Sequence, residues 1–101
     1  MKASVSIPHF SNPLGSRMPD ENKHGLVRLA SRHELTLIED DISGDIGFDG
    51  IRPRSPHSFT ADMNRNPVIY CSSFSKTMSQ GLRIGWMVLP ERYFQRAEYL
   101  K

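Results

Sequence analysis

The sequence predicts an α/β fold in which most strands of a single sheet run parallel. Two β-rich runs, Ala3–Ile7 and Leu35–Ile38, flank a segment of helical character. Strand, helix and strand within about 35 residues have the size of one βαβ unit. A third β-rich run, Val68–Cys71, follows a long polar segment. Because crossover connections join parallel strands, these runs are expected to lie side by side in a mostly parallel sheet.

The first strand and the first helix are predicted from short local patterns. Ala3–Ile7 alternates in polarity, and Pro8 ends it. The helix is predicted to begin near Pro19, since proline is favoured in the first turn and acidic residues such as Asp20 suit the positive end of the helix dipole. Its apolar face is predicted to consist of Leu26, Leu29, Ala30 and His33.

The second half of the chain contains the remaining predicted elements. Leu35–Ile38 is expected to be a mostly buried strand that runs directly into acidic residues. Residues 42–66 are rich in Gly, Pro, Ser and Asp, and such a long connection predicts a short helix around Ser58–Met63 or a direct functional role. Leu82–Leu89 is the predicted fourth strand, and a last helix is predicted over residues 90–101.

Composition places the chain in an ordinary class of protein. Its 101 residues, 38% hydrophobic and 24% charged, are enough for one small domain with a modest core. A formal charge of +2 with scattered Lys and Arg argues against contact with nucleic acid or a membrane surface. No apolar run approaches membrane-spanning length. Cys71 is the only cysteine, so no disulfide can form within the chain, and a cytoplasmic location is expected.

The run SSFSKTM, residues 72–78, sets Lys76 among hydroxyl groups directly after the third predicted strand. The run GLRIG, residues 81–85, comes next and contains Arg83. An amine among anion donors is suited to hold an aldehyde cofactor as a Schiff base, and hydroxyl and guanidinium groups are suited to bind a phosphate. The arrangement predicts a site for a phosphorylated aldehyde.

Pyridoxal phosphate would give each of these groups a role. Lys76 would form the Schiff base and move the proton at the substrate α-carbon. Asp40 would keep the pyridine nitrogen protonated, and Asn12 would donate its amide to the phenolic oxygen of the ring. The predicted phosphate donors are Ser73, Ser75 and Arg83.

The predicted groups share a position in the fold. Asn12, Asp40 and residues 73–76 each come just after a predicted strand, and ligands bind open α/β sheets at the carboxyl edge of their strands. Alternation alone does not decide between Asp40 and Asp41 as the inward-facing carboxylate, and one of them is expected to be a turn residue. Taken singly, Lys76 would be a solvated loop lysine. The histidines lack metal-ligand spacing and are expected to be surface or helix residues: His9, His24, His33 and His57.

Four motifs carry a resemblance to a known family: SNPLG (11–15), IEDD (38–41), SFSK (73–76) and GLRIGW (81–86). They resemble the class I/II aminotransferases of fold type I, and they are most similar to the aminotransferase-like domain of MocR-type regulators in the GntR family. The resemblance covers nearly the whole chain. It implies a mainly parallel sheet in which the strand after the lysine runs antiparallel to the others.

The resemblance also implies the same residue roles. Lys76 would be the Schiff-base lysine, Arg83 and the flanking serines the phosphate contacts, Asn12 the ring-oxygen contact and Asp40 the pyridine partner. The chain departs from the family at Ser43, where a tyrosine is usual. The family domain is several times longer and has an upstream glycine-rich phosphate loop, a ring-stacking aromatic residue and a downstream arginine for the substrate carboxylate. Residues 1–101 are therefore expected to be the central segment of its large domain, truncated at both ends.

The expected function is amino-group transfer between an amino acid and a 2-oxo acid in an intact, homodimeric relative. A second hypothesis is a pyridoxal-phosphate-dependent sensing domain of a transcription regulator, which binds an amine effector. A basic winged helix-turn-helix encoded upstream would favour that regulator. A third hypothesis is a truncated remnant with neither activity.

Overall fold

The computed structural model describes residues 2–60, 62 and 64–100, which form a four-stranded sheet and two α-helices. The elements are β1 (Ala3–Ser6), α1 (Asp20–Arg32), β2 (Thr36–Asp40), β3 (Val68–Ser73), β4 (Gly85–Val88) and α2 (Phe94–Tyr99). The strand order is β1-β2-β3-β4, with β1, β2 and β3 parallel and β4 antiparallel to β3. The predicted α/β fold, including the antiparallel strand after the lysine, is confirmed.

The carboxyl ends of the three parallel strands meet at one edge of the sheet. Ser6 of β1 pairs with Glu39 of β2, and Asp40 pairs with Cys71 of β3. β3 continues to Ser73 before the chain turns. The segments that leave these strands therefore start close together, as expected for a parallel sheet.

Helix α1 packs on the sheet through a stripe at helical spacing. Lys23, Val27 and Ala30 are its buried residues, and the last two form the core with Leu37 and Val68. The predicted inclusion of Leu29 and His33 in the apolar face was wrong, because Leu29 is 53% exposed and His33 is an exposed residue at the C-cap of the helix. Successive residues of an α-helix are about 100° apart around its axis. When Val27 and Ala30 face the sheet, the side of the helix that carries Leu29 therefore faces solvent.

Two predicted helices differ from the prediction in extent. The short helix predicted around Ser58–Met63 is a 3₁₀ helix at Pro56–Phe59, and Ala61 and Met63 lie outside the described residues. The last helix begins as a 3₁₀ turn at Glu91–Tyr93 and continues as α2, while Lys101 lies outside the described residues. No helix in the described part of the chain is long and apolar enough to cross a membrane.

The fourth strand is shorter than predicted. Its first predicted residue, Leu82, belongs to a 3₁₀ turn at Gln80–Leu82. Arg83 then adopts a left-handed conformation with φ 52° and ψ 34°, which ends that turn. β4 begins only at Gly85, where the chain has become extended again.

Candidate functional site

The segment between β3 and β4, residues 74–84, carries the predicted lysine, and we call it the lysine loop. Its base is closed by the pairing of Ser73 with Gly85. The Phe74 amide also donates a hydrogen bond to the Ile84 carbonyl at 3.1 Å. The two ends of the loop are therefore held together, and Lys76 lies within a closed turn.

The first half of the lysine loop is a tight turn around Phe74. The amides of Met78 and Ser79 both donate to the Phe74 carbonyl, at 3.0 and 3.1 Å. The Phe74 ring packs against Trp86 of β4, with 4.7 Å between ring centroids. These contacts attach the loop to the sheet, while Lys76 itself is exposed.

The end of β3 and the lysine loop together carry a set of hydrogen-bond donors. Ser73 Oγ accepts a hydrogen bond from the Ser75 amide at 3.4 Å, so both serines lie at the start of the turn. Arg83, at the other end of the loop, is exposed like Lys76. Two hydroxyls and a guanidinium are donors of the kind that bind a phosphate dianion, and Lys76 adds an exposed amine.

The two adjacent aspartates at the end of β2 have different surroundings. Asp40 is half-buried, and its Oδ1 accepts a hydrogen bond from the Ile42 amide at 3.3 Å, as in an Asx turn. The Asp41 side chain is completely buried. Asp40 combines the turn role with remaining acceptor capacity, whereas Asp41 is fully engaged inside the protein.

Asp41 is the buried centre of a polar group, called the Asp41 cluster: His9, Glu39, Asp41, Arg52 and Tyr70. The Arg52 side chain is 42% exposed. His9 Nδ1 donates to Asp41 Oδ1 at 2.6 Å, and Oδ2 accepts from Arg52 at 2.8 Å and from the Tyr70 hydroxyl at 3.0 Å. Burial by itself raises the pKa of Asp41, but the hydrogen bonds from His9, Arg52 and Tyr70 outweigh it and leave the pKa below its usual value. Asp41 is therefore a buried anion whose two oxygens already accept three hydrogen bonds.

Glu39 is the second buried acid of the cluster. Its Oε2 accepts hydrogen bonds from the Ser55 hydroxyl at 2.6 Å and from the His57 amide at 3.1 Å. Burial raises the pKa of Glu39 despite these bonds. Oε1 of Glu39 and Nε2 of His9 have no hydrogen-bond partner among the described residues.

Potential ligand atoms of His9, Glu39 and Asp41 lie within 4.8 Å of one another, a spacing that could hold a metal ion. Arg52 already supplies a positive charge to Asp41 at 2.8 Å. A guanidinium therefore already compensates the charge of Asp41.

Asn12 is exposed and lies in the loop of residues 8–18, which we call the Asn12 loop. The Met18 amide donates to the Pro8 carbonyl at 2.8 Å, which closes the loop at its base. His9, in the same loop, reaches Asp41. The Asn12 loop is thereby attached to the end of β2.

The structure brings the Asn12 loop, Asp40 and the lysine loop to one edge of the sheet. No hydrogen bond or ion pair within the described part of the chain joins Asn12, Lys76 and Arg83 to one another. A groove of about 620 Å³ between β3, β4 and α2 is lined by none of the predicted site residues.

Sequence reasoning missed the Asp41 cluster. The prediction that His9 is a surface or helix residue was wrong, because His9 is completely buried in a loop. His9 and Asp41 are 32 positions apart, and although Asp41 belongs to the IEDD motif, nothing in that motif indicates His9 as its partner. The one available indication was the choice left open between Asp40 and Asp41.

Comparison with known proteins identifies the family. Residues 3–101 match the family model described as aminotransferase class I and II. The chain belongs to this family.

Relatives of this aminotransferase-family chain include both regulators and enzymes. An HTH-type transcriptional regulator of Escherichia coli, YjiR, is 41% identical over 101 residues, which are all of this chain and 21% of the regulator. An aminotransferase of Saccharolobus solfataricus is 35% identical over the whole chain, which covers 24% of that protein. The expected similarity to HTH regulators with an aminotransferase-like domain is confirmed.

A solved structure supports the fold assignment. The kynurenine aminotransferase of Pyrococcus horikoshii, in complex with PMP, superposes with a TM-score of 0.87 and 31% identity. The match covers 98% of this chain and 24% of the enzyme. The chain thus spans only about a fifth to a quarter of its relatives and corresponds to a segment of the fold type I large domain.

Proposed function

We propose that the chain carries the cofactor lysine of a pyridoxal-phosphate-dependent aminotransferase domain, and that this residue is Lys76. The main support is positional: the closed loop that contains Lys76 and Arg83 leaves β3 beside the strand that ends in Asp40. Dependence on pyridoxal phosphate agrees with the family and with the PMP bound to the Pyrococcus enzyme.

The donor chemistry of these residues fits the cofactor. Arg83 offers a bidentate guanidinium, and Ser73 and Ser75 offer hydroxyls, for a phosphate. The half-buried carboxylate of Asp40 accepts the Ile42 amide and keeps lone pairs for a protonated ring nitrogen. Asp41 is the poorer candidate for that role, because its two oxygens already accept three hydrogen bonds.

In a protein that contains the whole domain, the proposed reaction is amino-group transfer between an amino acid and a 2-oxo acid, carried out by a homodimer. The cofactor, when bound, supplies a ring that withdraws electrons from the substrate. Asp40 holds the proton on the ring nitrogen, and Asn12 donates to the ring oxygen. Lys76 Nζ accepts and returns the proton of the substrate α-carbon. The phosphate is held by Ser73, Ser75 and Arg83.

The proposal is tested in a grafted domain, in which this chain replaces the matching segment of the Pyrococcus kynurenine aminotransferase. Pyridoxal phosphate is added, the protein is reduced with borohydride, and the labelled peptide is identified by mass spectrometry. We expect one label per chain, on the peptide that contains Lys76, and no label in Lys76→Ala. Lys23, which donates to Asp20 in α1, provides the matched control Lys23→Ala, which should keep the label. Label spread over Lys2, Lys23, Lys76 and Lys101 would contradict the assignment.

The similarity to YjiR supports a second candidate function, a sensing domain that binds an amine effector. The two functions differ in the step after amine binding. An aminotransferase consumes an added amino acid and releases a 2-oxo acid in every cycle. A sensing domain changes the spectrum of its cofactor on adding the amine and releases no stoichiometric keto product. Product analysis of the full-length protein therefore separates the two.

A further inference from the structure

The Asp41 cluster connects three segments that leave the same edge of the sheet. His9 belongs to the Asn12 loop, Arg52 to the long connection after β2, and Tyr70 to β3. The backbone of Asp41 takes part as well, because its amide donates to the Cys71 carbonyl at 2.9 Å and its carbonyl accepts from the Ser72 hydroxyl at 3.2 Å. Asp41 thus contacts both the Asn12 loop and β3, the strand that leads into the lysine loop, and it is the chain neighbour of Asp40.

Two ion-pair contacts attach the Asn12 loop to the residues that follow β2, and the contact between His9 and Asp41 is the buried one. Farther out, Arg17 of the loop pairs with Asp49 at 2.9 Å, but both side chains are nearly half exposed. Water screens an exposed ion pair, so it contributes little to stability, whereas a buried hydrogen bond to a charged group contributes more. The buried bond between His9 and Asp41, with both side chains 0% exposed, is therefore the stronger attachment of this loop.

Two glycines leave space for the side chains at the contact between the Asn12 loop and the residues that follow β2. A Cβ at Gly44 would collide with the Asp41 carboxylate, and a Cβ at Gly47 would lie 2.8 Å from the Phe10 ring. Phe10 itself has a φ of 51°, which turns the chain from His9 toward Asn12. The absence of a Cβ at these two glycines thus leaves space for the Asp41 carboxylate and for the Phe10 ring at the start of the Asn12 loop.

We infer that Asp41 is a positioning residue: through His9 it holds the Asn12 loop, and through Tyr70 and Ser72 it holds the end of β3, the strand that leads into the lysine loop, relative to Asp40. The identity of the positioned groups rests on the proposed function, since Asn12 and Asp40 are proposed ring contacts. The attachment itself rests on the hydrogen bonds alone. Asp41 does not touch the cofactor in this scheme and acts through the residues that do.

The first test needs no cofactor. In the grafted domain, Asp41→Asn places an amide group against the donors Arg52 and Tyr70 and removes the charge that binds His9. We expect hydrogen exchange at the amides of Gly15 and Met18, which close the Asn12 loop, to accelerate about tenfold or more. The amide of Leu37, bonded to Pro67 in the core, should keep its protection.

Asp45→Asn is the matched control. Asp45 binds the same guanidinium, Arg52, at 2.7 Å, but its side chain is 50% exposed and lies outside the buried group. Asp45→Asn also removes one negative charge beside Arg52, and it should leave hydrogen exchange at Gly15 and Met18 unchanged. Equal effects of the two variants, no effect of Asp41→Asn, or loss of protection throughout the protein including Leu37 would each overturn the inference.

Variants of His9 test the attachment from its other side. His9→Asn keeps a side-chain N–H near the position of Nδ1, whereas His9→Leu removes the donor. We expect His9→Leu to reproduce the fast exchange of Asp41→Asn and His9→Asn to restore much of the protection. Fast exchange in both His9 variants, or in neither, would overturn the role of this hydrogen bond.

The second readout is the pH at which the visible absorbance of bound pyridoxal phosphate changes. A donor at the ring oxygen lowers the basicity of that oxygen, so displacing Asn12 should raise this midpoint by about one pH unit, the size of one lost hydrogen bond. Asp41→Asn and His9→Leu should shift it in the same direction as Asn12→Ala, and Asp45→Asn should not. Faster exchange with an unshifted midpoint would overturn the positioning role, whereas failure to bind the cofactor at all would contradict the proposed function and leave the exchange result standing.

Discussion

The lysine loop and the Asp41 cluster lie at the same edge of the sheet, yet they are built in opposite ways. Lys76 and Arg83 are exposed, whereas Asp41 and His9 are completely buried and hydrogen-bonded to each other. A charged group that binds an external ligand needs unused hydrogen-bonding capacity, while a buried charged group must be satisfied within the protein. The difference teaches that groups able to bind a ligand and groups that hold them in place can be neighbours in sequence, as Asp40 and Asp41 are.

The largest effect is expected for the lysine loop, because it needs cofactor contacts from residues outside this chain, whereas the Asp41 cluster is formed within the chain. The 101-residue chain expressed by itself should show no measurable transamination and at most weak, non-stoichiometric binding of pyridoxal phosphate. The lysine loop would lack the further phosphate, stacking and carboxylate contacts that the family resemblance implies. Exposed apolar residues on the outer strands, such as Val5 at 67% and Met87 at 58%, should also make it poorly soluble.

Spectrophotometric titration with the cofactor and an amino-acid turnover assay measure this outcome. The grafted domain is the positive control. A soluble 101-residue product that binds the cofactor one to one and turns over an amino acid would refute the prediction.

Separate substitutions of the two neighbouring aspartates test the assignment of their roles. Asp40→Ala in the grafted domain should leave attachment of the cofactor to Lys76 intact but lower turnover about 100- to 1,000-fold, because its charge acts mainly in the transition state. Asp41→Asn should lower turnover less, by about tenfold, through misplaced loops. Steady-state kinetics with borohydride labelling measures both. If Asp41→Asn is the more damaging variant, or if Asp40→Ala keeps full turnover, Asp40 is the wrong carboxylate.

A pair of glycine substitutions compares the packed cluster with an open surface. Gly44→Ala should destabilise the grafted domain by about 1–3 kcal/mol, because the new methyl group would overlap the Asp41 carboxylate. Gly25→Ala in α1 meets no atom within 4 Å and should stabilise the helix by up to about 1 kcal/mol. Urea unfolding measures both changes. Free-energy changes of the same sign would show that Gly44 is not tightly packed against Asp41.

The smallest expected effect is a pH dependence of stability next to the cluster. Burial lowers the pKa of His57 below its ordinary value of 6.5 in the folded state. The unfolded state therefore binds the proton more strongly, so this contribution is fully present above pH 6.5 and is lost as the pH falls through the folded-state pKa. His57→Gln should flatten that part of the stability profile by about 1 kcal/mol or less. Exposed His33 supplies the control His33→Gln, and an unchanged profile in His57→Gln would contradict the prediction.

Much of the fold could be predicted because it depends on local patterns. Pro8 and Pro19 mark the end of β1 and the start of α1, and the three parallel strands are indicated by the spacing of β-rich runs. The side of α1 that packs on the sheet could not be predicted, because both Leu29 and Val27 fit a helical repeat of apolar residues. Only packing against the sheet shows that Val27 is the buried one. The candidate site was predictable in its motif residues because the lysine loop is one continuous segment. Their individual roles remain predictions.

The sequence by itself determined the α/β order of elements, the family and the segment that contains Lys76 and Arg83, because each depends on residues close together in the chain. Only the tertiary structure decided that Asp41 and not Asp40 is enclosed, and that His9 is its partner. The bond from His9 to Asp41 spans 32 positions and the bond from Tyr70 to Asp41 spans 29. Contacts over such separations leave no periodic trace in the chain, since they arise only when parallel strands align their ends and exclude water from the groups between them.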